Sequence, residues 1–302
     1  MWRLSLATLQ WAPMPALVSG RTGHACCAVR GALVVLGGET DHGLTSSVEM
    51  LSEGGEFVEL PPLSCGEICG AAAIAVEEGD SAAGQVLPVG GMAPPGGEAV
   101  STVQLVDLAT GVCTPQPALL HARNLPAAAR MLDGRILFAG GIGVSDVQST
   151  AEIWGPPVQG DMDAAWIWRA LPAMDAGRYA CCACVMSDGR FAVLGGWING
   201  ARASFEALLI GDGEHWQTLP PMHDLRSYFA CVAVAGCVIV AGGIGRRTVE
   251  VYEEVLDRWL RLPCDLPHTS GLWAMGSALL WTIKTPTYVH RMHADSADGL
   301  LT

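Results

Sequence analysis

Five glycine pairs, beginning at Gly37, Gly90, Gly140, Gly195 and Gly242, recur at intervals of 53, 50, 55 and 47 residues. Each closes an apolar run: "ALVVLGG", "QVLPVGG", "RILFAGG", "RFAVLGG" and "CVIVAGG". Self-similarity at this period marks a propeller or another repeat array. A second signal is independent of the first. An apolar or aromatic residue is followed four positions on by proline at Trp11/Pro15, Phe57/Pro61, Trp168/Pro172, Trp216/Pro220 and Trp259/Pro263, and Cys113/Pro117 fills the remaining slot, giving six copies. Six residues beyond these prolines stand Arg21, Glu67, Arg123, Arg178, Arg226 and Thr269, and four further on Ala25, Ala71, Ala127, Cys182, Ala230 and Trp273.

Each unit breaks into short strand-like runs bounded by turn residues; in the fifth these are "YFACVAV", "CVIVAGG", "TVEVYEEV" and "RWLRLP". No stretch of ten residues between them keeps a helical period. Four antiparallel strands per unit, repeated six times, predict an all-β propeller. The order of motifs resembles the kelch repeat: Arg-x-x-x-Ala, a hydrophobic strand ending in Gly-Gly, a strand such as "VEVYEE", "VEML" or "AEIW", then Trp-x-x-Leu-Pro. The resemblance implies a six-bladed kelch-type β-propeller occupying residues 1–292 as a single domain, with a polar tail at 293–302. The last blade is expected to be closed by both termini: Trp11 to Pro15 gives its fourth strand and Ser270 to Met292 its first strands, with Thr285-Pro286 where a glycine pair would fall. In such a ring the glycine pairs serve close backbone approach near a narrow channel, and the tryptophans pack between neighbouring blades.

Composition excludes several classes. Lys plus Arg number 17 against 30 Asp plus Glu, a net charge of −13 that repels nucleic acid. No apolar run of 18 residues is present, which argues against a membrane span, and Ser5, Thr8 and Gln10 interrupt the N-terminal segment where a leader would be apolar. Eleven cysteines clump inside apolar runs such as "HACCAV" and "YACCACVM" without a disulfide framework, so a reducing, cytoplasmic setting is expected. The eight histidines carry no metal-ligand spacing, and "GGIGRR" follows a strand with no helix after it, so neither a metal nor a dinucleotide cofactor is expected. No nucleophile elbow, phosphate loop or Cys-His pair at a catalytic spacing is found.

In an up-and-down blade, the entrance to the first strand and the loop after the glycine pair emerge on one face. That face is expected to carry Arg21, Thr22, His24, Glu39, Arg123, Asn124, Arg178, Tyr179, Trp197, Arg226, Ser227 and Tyr228. The kelch resemblance implies ligand contacts at Thr22, Asn124, Tyr179 and Ser227 and at Glu39, Ile142, Trp197 and Ile244, with Ile68 and Met92 in the second unit. The four arginines suit an acidic peptide through charge-assisted hydrogen bonds; alternatively they cap loops and pair with internal carboxylates. Trp197 is either an exposed anchor or packed on the next blade. The functional expectation is a non-catalytic interaction module, a scaffold or adaptor for a protein or acidic peptide. The competing expectation is a sugar-acid binder or mutarotase-like enzyme using Arg21, His24 and Glu39 at the propeller mouth.

Overall fold

The computed structural model describes residues 1–51, 55–76, 81, 83–94, 97–156, 165–211 and 213–267. All its regular elements are strands. The chain opens with a hairpin, β1 (Trp2–Ser5) and β2 (Gln10–Pro13). Blade I follows with β3 (Ala25–Val29) and β4 (Ala32–Leu36), a two-strand excursion β5 (Glu39–Thr40) and β6 (Gly43–Leu44), then β7 (Val48–Leu51) and β8 (Phe57–Leu60). Blade II repeats this plan with β9 (Ala72–Val76), β10 (Gln85–Val89), the excursion β11 (Met92–Ala93) and β12 (Glu98–Ala99), β13 (Gln104–Asp107) and β14 (Cys113–Pro115). Blade III holds β15 (Ala127–Arg130), β16 (Ile136–Ala139), β17 (Ala151–Gly155) and β18 (Ile167–Leu171). Blade IV holds β19 (Cys182–Val185), β20 (Phe191–Leu194), β21 (Phe205–Leu208) and β22 (Trp216–Leu219). Blade V holds β23 (Ala230–Val234), β24 (Cys237–Ala241), β25 (Val249–Glu253) and β26 (Arg258–Leu262). In every blade the four strands pair antiparallel in chain order.

The expected count of six blades is corrected to five four-stranded blades among the described residues. Among the described residues the first copy, Trp11 to Pro15, belongs to a two-stranded hairpin: Leu4 pairs with Trp11 and Ser5 with Gln10. The N-terminus therefore gives two strands where one was expected. The segment 270–292 and the tail 293–302 lie outside the described residues. The hairpin bridges two blades: Leu4, Leu9 and Trp11 pack on Val249, Ala241 and Cys264 of blade V, while Met14 and Leu17 pack on Leu33, Val35 and Phe57 of blade I.

The hydrophobic core is divided among the blade interfaces. The second strands of blades I to IV are buried on both faces, as at Val34, Val35 and Leu36 or Phe191 to Leu194, which is why they read as unbroken apolar runs rather than alternating ones. Outer tryptophans clamp blades III, IV and V each to the blade before it. Trp168 Nε1 donates to Pro117 O at 2.7 Å, Trp216 Nε1 to Pro172 O at 2.8 Å and Trp259 Nε1 to Pro220 O at 2.8 Å, each reaching the preceding blade. Trp11 Nε1 donates in the same manner to Cys264 O at 2.7 Å. Each indole buries large apolar area while its one polar atom finds a partner.

The glycine pairs are explained by two constraints acting together. Gly140 and Gly141 have φ of 68° and 102°, the left-handed region that L side chains rarely adopt. A Cβ on Gly140 would also run into the carbonyl oxygen of Arg178 in the next blade. The second glycine donates its N–H to that same carbonyl (Gly141 N to Arg178 O, 2.8 Å), so the pair stitches adjacent blades together.

Candidate functional site

The loop-rich face is built on four copies of one buried ion pair. Arg21, Arg123, Arg178 and Arg226 pair with Glu49, Glu152, Glu206 and Glu250, which stand on the third strands β7, β17, β21 and β25. Side-chain exposure is 0% for both partners in three of the pairs. In blade V, Arg226 Nη1 donates to Gly242 O at 2.6 Å and Thr248 O at 2.9 Å, while Nη2 donates to Thr248 Oγ1 and Glu250 Oε1, both at 2.6 Å. Arg123 repeats this with Gly140 O at 2.7 Å and Glu152 Oε1 at 2.5 Å. Each carboxylate also accepts from the loop before its arginine: Val18 and Ser19 N–H donate to Glu49, Leu120 and His121 N–H to Glu152, Asp175 N–H to Glu206, His223 and Asp224 N–H to Glu250. Buried charges persist where this many hydrogen bonds replace water. Burial pulls the Arg123 guanidinium below its ordinary range, and Glu152 opposes that pull.

Of the two readings of the four arginines, this arrangement matches the one in which they cap loops and pair with internal carboxylates. Their guanidinium groups face glycine carbonyls and internal glutamates, so they hold the loops in place instead of presenting positive charge to a ligand. Blade II lacks the pair as a unit. Gly38 N–H donates to Ile68 O at 2.7 Å just as Gly141 donates to Arg178 O, which places Ile68 in the arginine slot that counting assigns to Glu67. The register Val86↔Val106 and Val89↔Val103 puts Gln104 opposite Pro88, where the other blades have glutamate opposite the residue two before the glycine pair. Cation and anion are replaced together.

The two sets of rim positions do meet. Thr22 and Glu39 exchange backbone hydrogen bonds at 2.9 and 2.8 Å, Asn124 and Ile142 at 2.8 and 2.7 Å, Tyr179 and Trp197 at 3.3 and 2.8 Å, and Ile244 N–H donates to Ser227 O at 3.1 Å. In blade II the partner of Met92 is Cys69, one residue past the expected Ile68. Thr22 and Glu39 are exposed; Asn124, Tyr179, Trp197 and Tyr228 are half-buried; Ser227 is buried.

Inside this rim runs a feature that motif counting misses. Gly70 N–H donates to Gly23 O, Leu125 N–H to Gly70 O, Ala180 N–H to Leu125 O and Tyr228 N–H to Ala180 O, at 2.7 to 3.1 Å. All five residues are left-handed, with φ between 51° and 66°. This chain of bonds passes from blade to blade around the mouth of a central cavity of about 220 Å³, whose walls are chiefly Ala, Gly and Cys. Only two of the five are glycine, so composition gives no hint of the conformation.

His24 lies at the cavity wall, and burial, then the Arg21 charge, holds its pKa below the usual 6.5. No hydrogen bond joins it to Glu39, and Arg21 is committed to Glu49. The acid-base trio is therefore not assembled. Among the described residues no group of three or more His, Cys, Asp or Glu is placed to hold a metal ion, and no helix is long and apolar enough to cross a membrane.

The rim carries exposed charge of both signs, and in blade V Arg246 faces Asp224 at 3.8 Å. Blades I and II carry Glu39, Asp41 and Glu98, whereas blades IV and V carry Arg202, Arg246 and Arg247 with Tyr179, Trp197 and Tyr228. The Tyr179 and Tyr228 rings meet edge to face at 6.4 Å, and Trp197 lies opposite Tyr179. The loop from Trp197 to Arg202 is a tight hairpin: Ile198 N–H donates to Gly200 O, and Arg202 N–H returns to Gly196 O at 2.9 Å. Arg202 is exposed at its base and makes no ion pair among the described residues.

Comparison with known proteins gives a consistent family signal. The profile of the Kelch motif matches residues 20–64. An F-box/kelch-repeat protein of Arabidopsis thaliana is 31% identical over 116 residues, 32% of this chain and 30% of that protein. Kelch domain-containing protein 8B of Homo sapiens is 31% identical over 141 residues, 44% of this chain and 38% of that protein. The chain thus matches well under half the length of either relative. The solved structure of YjhT superposes with a TM-score of 0.66 over 84% of this chain and 86% of that one at 11% identity, a likeness of fold alone.

Proposed function

Because residues 20–64 match the Kelch motif and the chain is similar to kelch-repeat proteins, and because its loops carry exposed chemistry, we propose that it is a protein-interaction module. On this reading it is a non-catalytic scaffold or adaptor that holds an acidic segment of a partner protein on the rim of blades IV and V. One observation carries the reading: Tyr179, Trp197 and Tyr228 form a half-exposed aromatic patch with the unpaired Arg202 at its edge. Aromatic residues and arginine supply most interface hot spots, and rigid loops lower the entropy lost on binding. The opposite rim, with Glu39, Asp41 and Glu98, orients the segment by repelling its acidic end. The eleven free thiols support a reducing, cytoplasmic setting for this work.

A small polar ligand in the mouth is the weaker reading. Such sites have converging polar groups in a volume of roughly 300 Å³ or more, whereas this cavity is about 220 Å³ and walled mainly by small apolar side chains.

Selection of a random peptide library on the folded protein tests the proposal. Enrichment of acidic sequences, with binding lost in Trp197→Ala and Arg202→Glu, is the expected result. Peptides that bind both variants as well as the parent, or no enrichment at all, would overturn it.

A further inference from the structure

One surface feature stands apart from the rim. Of the eleven cysteines, Cys65 is the exposed one, in the connection from blade I to blade II. Burial and then the neighbouring Cys113, half-buried at the start of β14, the outermost strand of blade II, push its thiol up to about 12. The two chain segments are pinned together by their backbones. Ser64 N–H donates to Gly111 O at 3.0 Å, and Cys113 N–H donates to Ser64 Oγ at 2.9 Å. Gly111 is left-handed with φ of 71°, and a Cβ there would strike Pro62 O, so the turn before Cys113 lies directly on the segment that carries Cys65. Two cysteines are thus brought side by side near the protein surface by bonds that do not depend on their thiols.

The other cysteines differ in access. Cys184 also contacts Cys231, but Cys184 is buried on the inner strand of blade IV, and Cys27, Cys69, Cys181 and Cys264 are buried as well. A reagent in solution meets Cys65 first.

We propose that Cys65 and Cys113 form a reversible disulfide by exchange with a low-molecular-weight disulfide. One protein thiolate attacks a sulfur of the small disulfide, forming a mixed disulfide and releasing one small thiol. The second protein thiol, losing its proton, then displaces the other small thiol. Two protein thiols are oxidised and one small disulfide is reduced to two thiols, so electrons and protons balance. The closed bond ties the blade I exit to the outer strand of blade II, and excess small thiol reopens it. In a reducing compartment the pair rests open and closes when the thiol pool is oxidised.

The test uses the full chain, reduced and then equilibrated with mixtures of oxidised and reduced glutathione. Residues 31–122 contain no Lys or Arg, so trypsin leaves both cysteines in one fragment; a glutamate-specific protease cuts at Glu59, Glu67 and Glu98 and separates them. Mass spectrometry without reductant is expected to find the fragment ending at Glu67 joined to the one beginning at Ala99, two hydrogens lighter than the sum. Dithiothreitol restores both, and Cys65→Ser abolishes the link while leaving the fold intact, because its side chain is exposed. A glutathione adduct on Cys65 with Cys113 still free, a Cys65-linked dimer, or full reduction at every ratio would each overturn the proposal.

Discussion

Arg226 and Glu250 lie 2.6 Å apart in blade V with neither side chain exposed, and the same relationship holds between Arg123 and Glu152 in blade III. Removing one member of a buried pair strands the other charge, so Arg226→Ala should lower the unfolding free energy by about 3–5 kcal/mol. Blade II shows how the lattice tolerates losing both. There the slots hold Ile68 and Gln104, and the Gln104 Oε1 is buried without a partner. The double change Arg123→Ile with Glu152→Gln should therefore cost less than half of what Arg123→Ile costs alone. Urea denaturation measures both, and simple additivity of the two single changes would sink the account.

The glycine pairs allow a comparison of strain with collision. Gly189 has φ of 85° and open space around a Cβ, so Gly189→Ala meets only the left-handed conformational cost, about 1–2 kcal/mol. Gly140 has φ of 68° and faces the Arg178 carbonyl. Gly140→Ala should add the separation of two blades to the same conformational cost and destabilise by clearly more than Gly189→Ala. Equal losses in the two variants would show that the inter-blade contact gives way without penalty.

The sequence carried the repeat because close packing between blades allows few residue types. A glycine is needed where one backbone meets the next, and tryptophan where an indole must reach a carbonyl across the interface. The glutamates of "VEML", "AEIW" and "VEVY" and the arginines were visible as separate signals. Their pairing was open because sequence spacing does not say whether an arginine points into the sheet or out of it. Blade II was misread by one residue since Ile68 keeps the backbone bond of the arginine slot without its side chain. The left-handed chain from Gly23 to Tyr228 was hidden, because Leu125, Ala180 and Tyr228 are held there by inter-blade hydrogen bonds and not by their own preference. Six motif copies predict six blades; the described residues form five, and the first copy is a hairpin lying between blades V and I.

The outer tryptophans separate hydrogen bonding from packing. Trp216→Phe keeps an aromatic ring beside Phe191, now 6.1 Å away, but removes the 2.8 Å bond to Pro172 O. The expected loss is about 1 kcal/mol for the bond together with a smaller packing loss. Trp216→Ala also deletes the ring and should cost about 3–5 kcal/mol. Thermal unfolding of the two variants would measure the difference, and a Phe variant as unstable as the Ala variant would mean that the bond rather than the ring secures the interface.

His24 links stability to mild acid. Burial, followed by repulsion from Arg21, holds its folded pKa below 6.5, while Glu49 pulls in the opposite direction. In the unfolded chain it titrates near 6.5, so below that pH the unfolded state binds the proton more readily and stability falls. The contribution is complete above pH 6.5 and declines as the pH drops beneath it. Carboxylates whose values are lowered, Glu214 from 4.5 and Asp224 from 3.8, act only in stronger acid. The unfolding midpoint in urea should therefore decrease between pH 7.5 and 5.5, and His24→Asn should flatten that slope while keeping a polar group at the channel wall. A slope unchanged by the substitution would assign the acid sensitivity to other groups and leave His24 free to protonate within the fold.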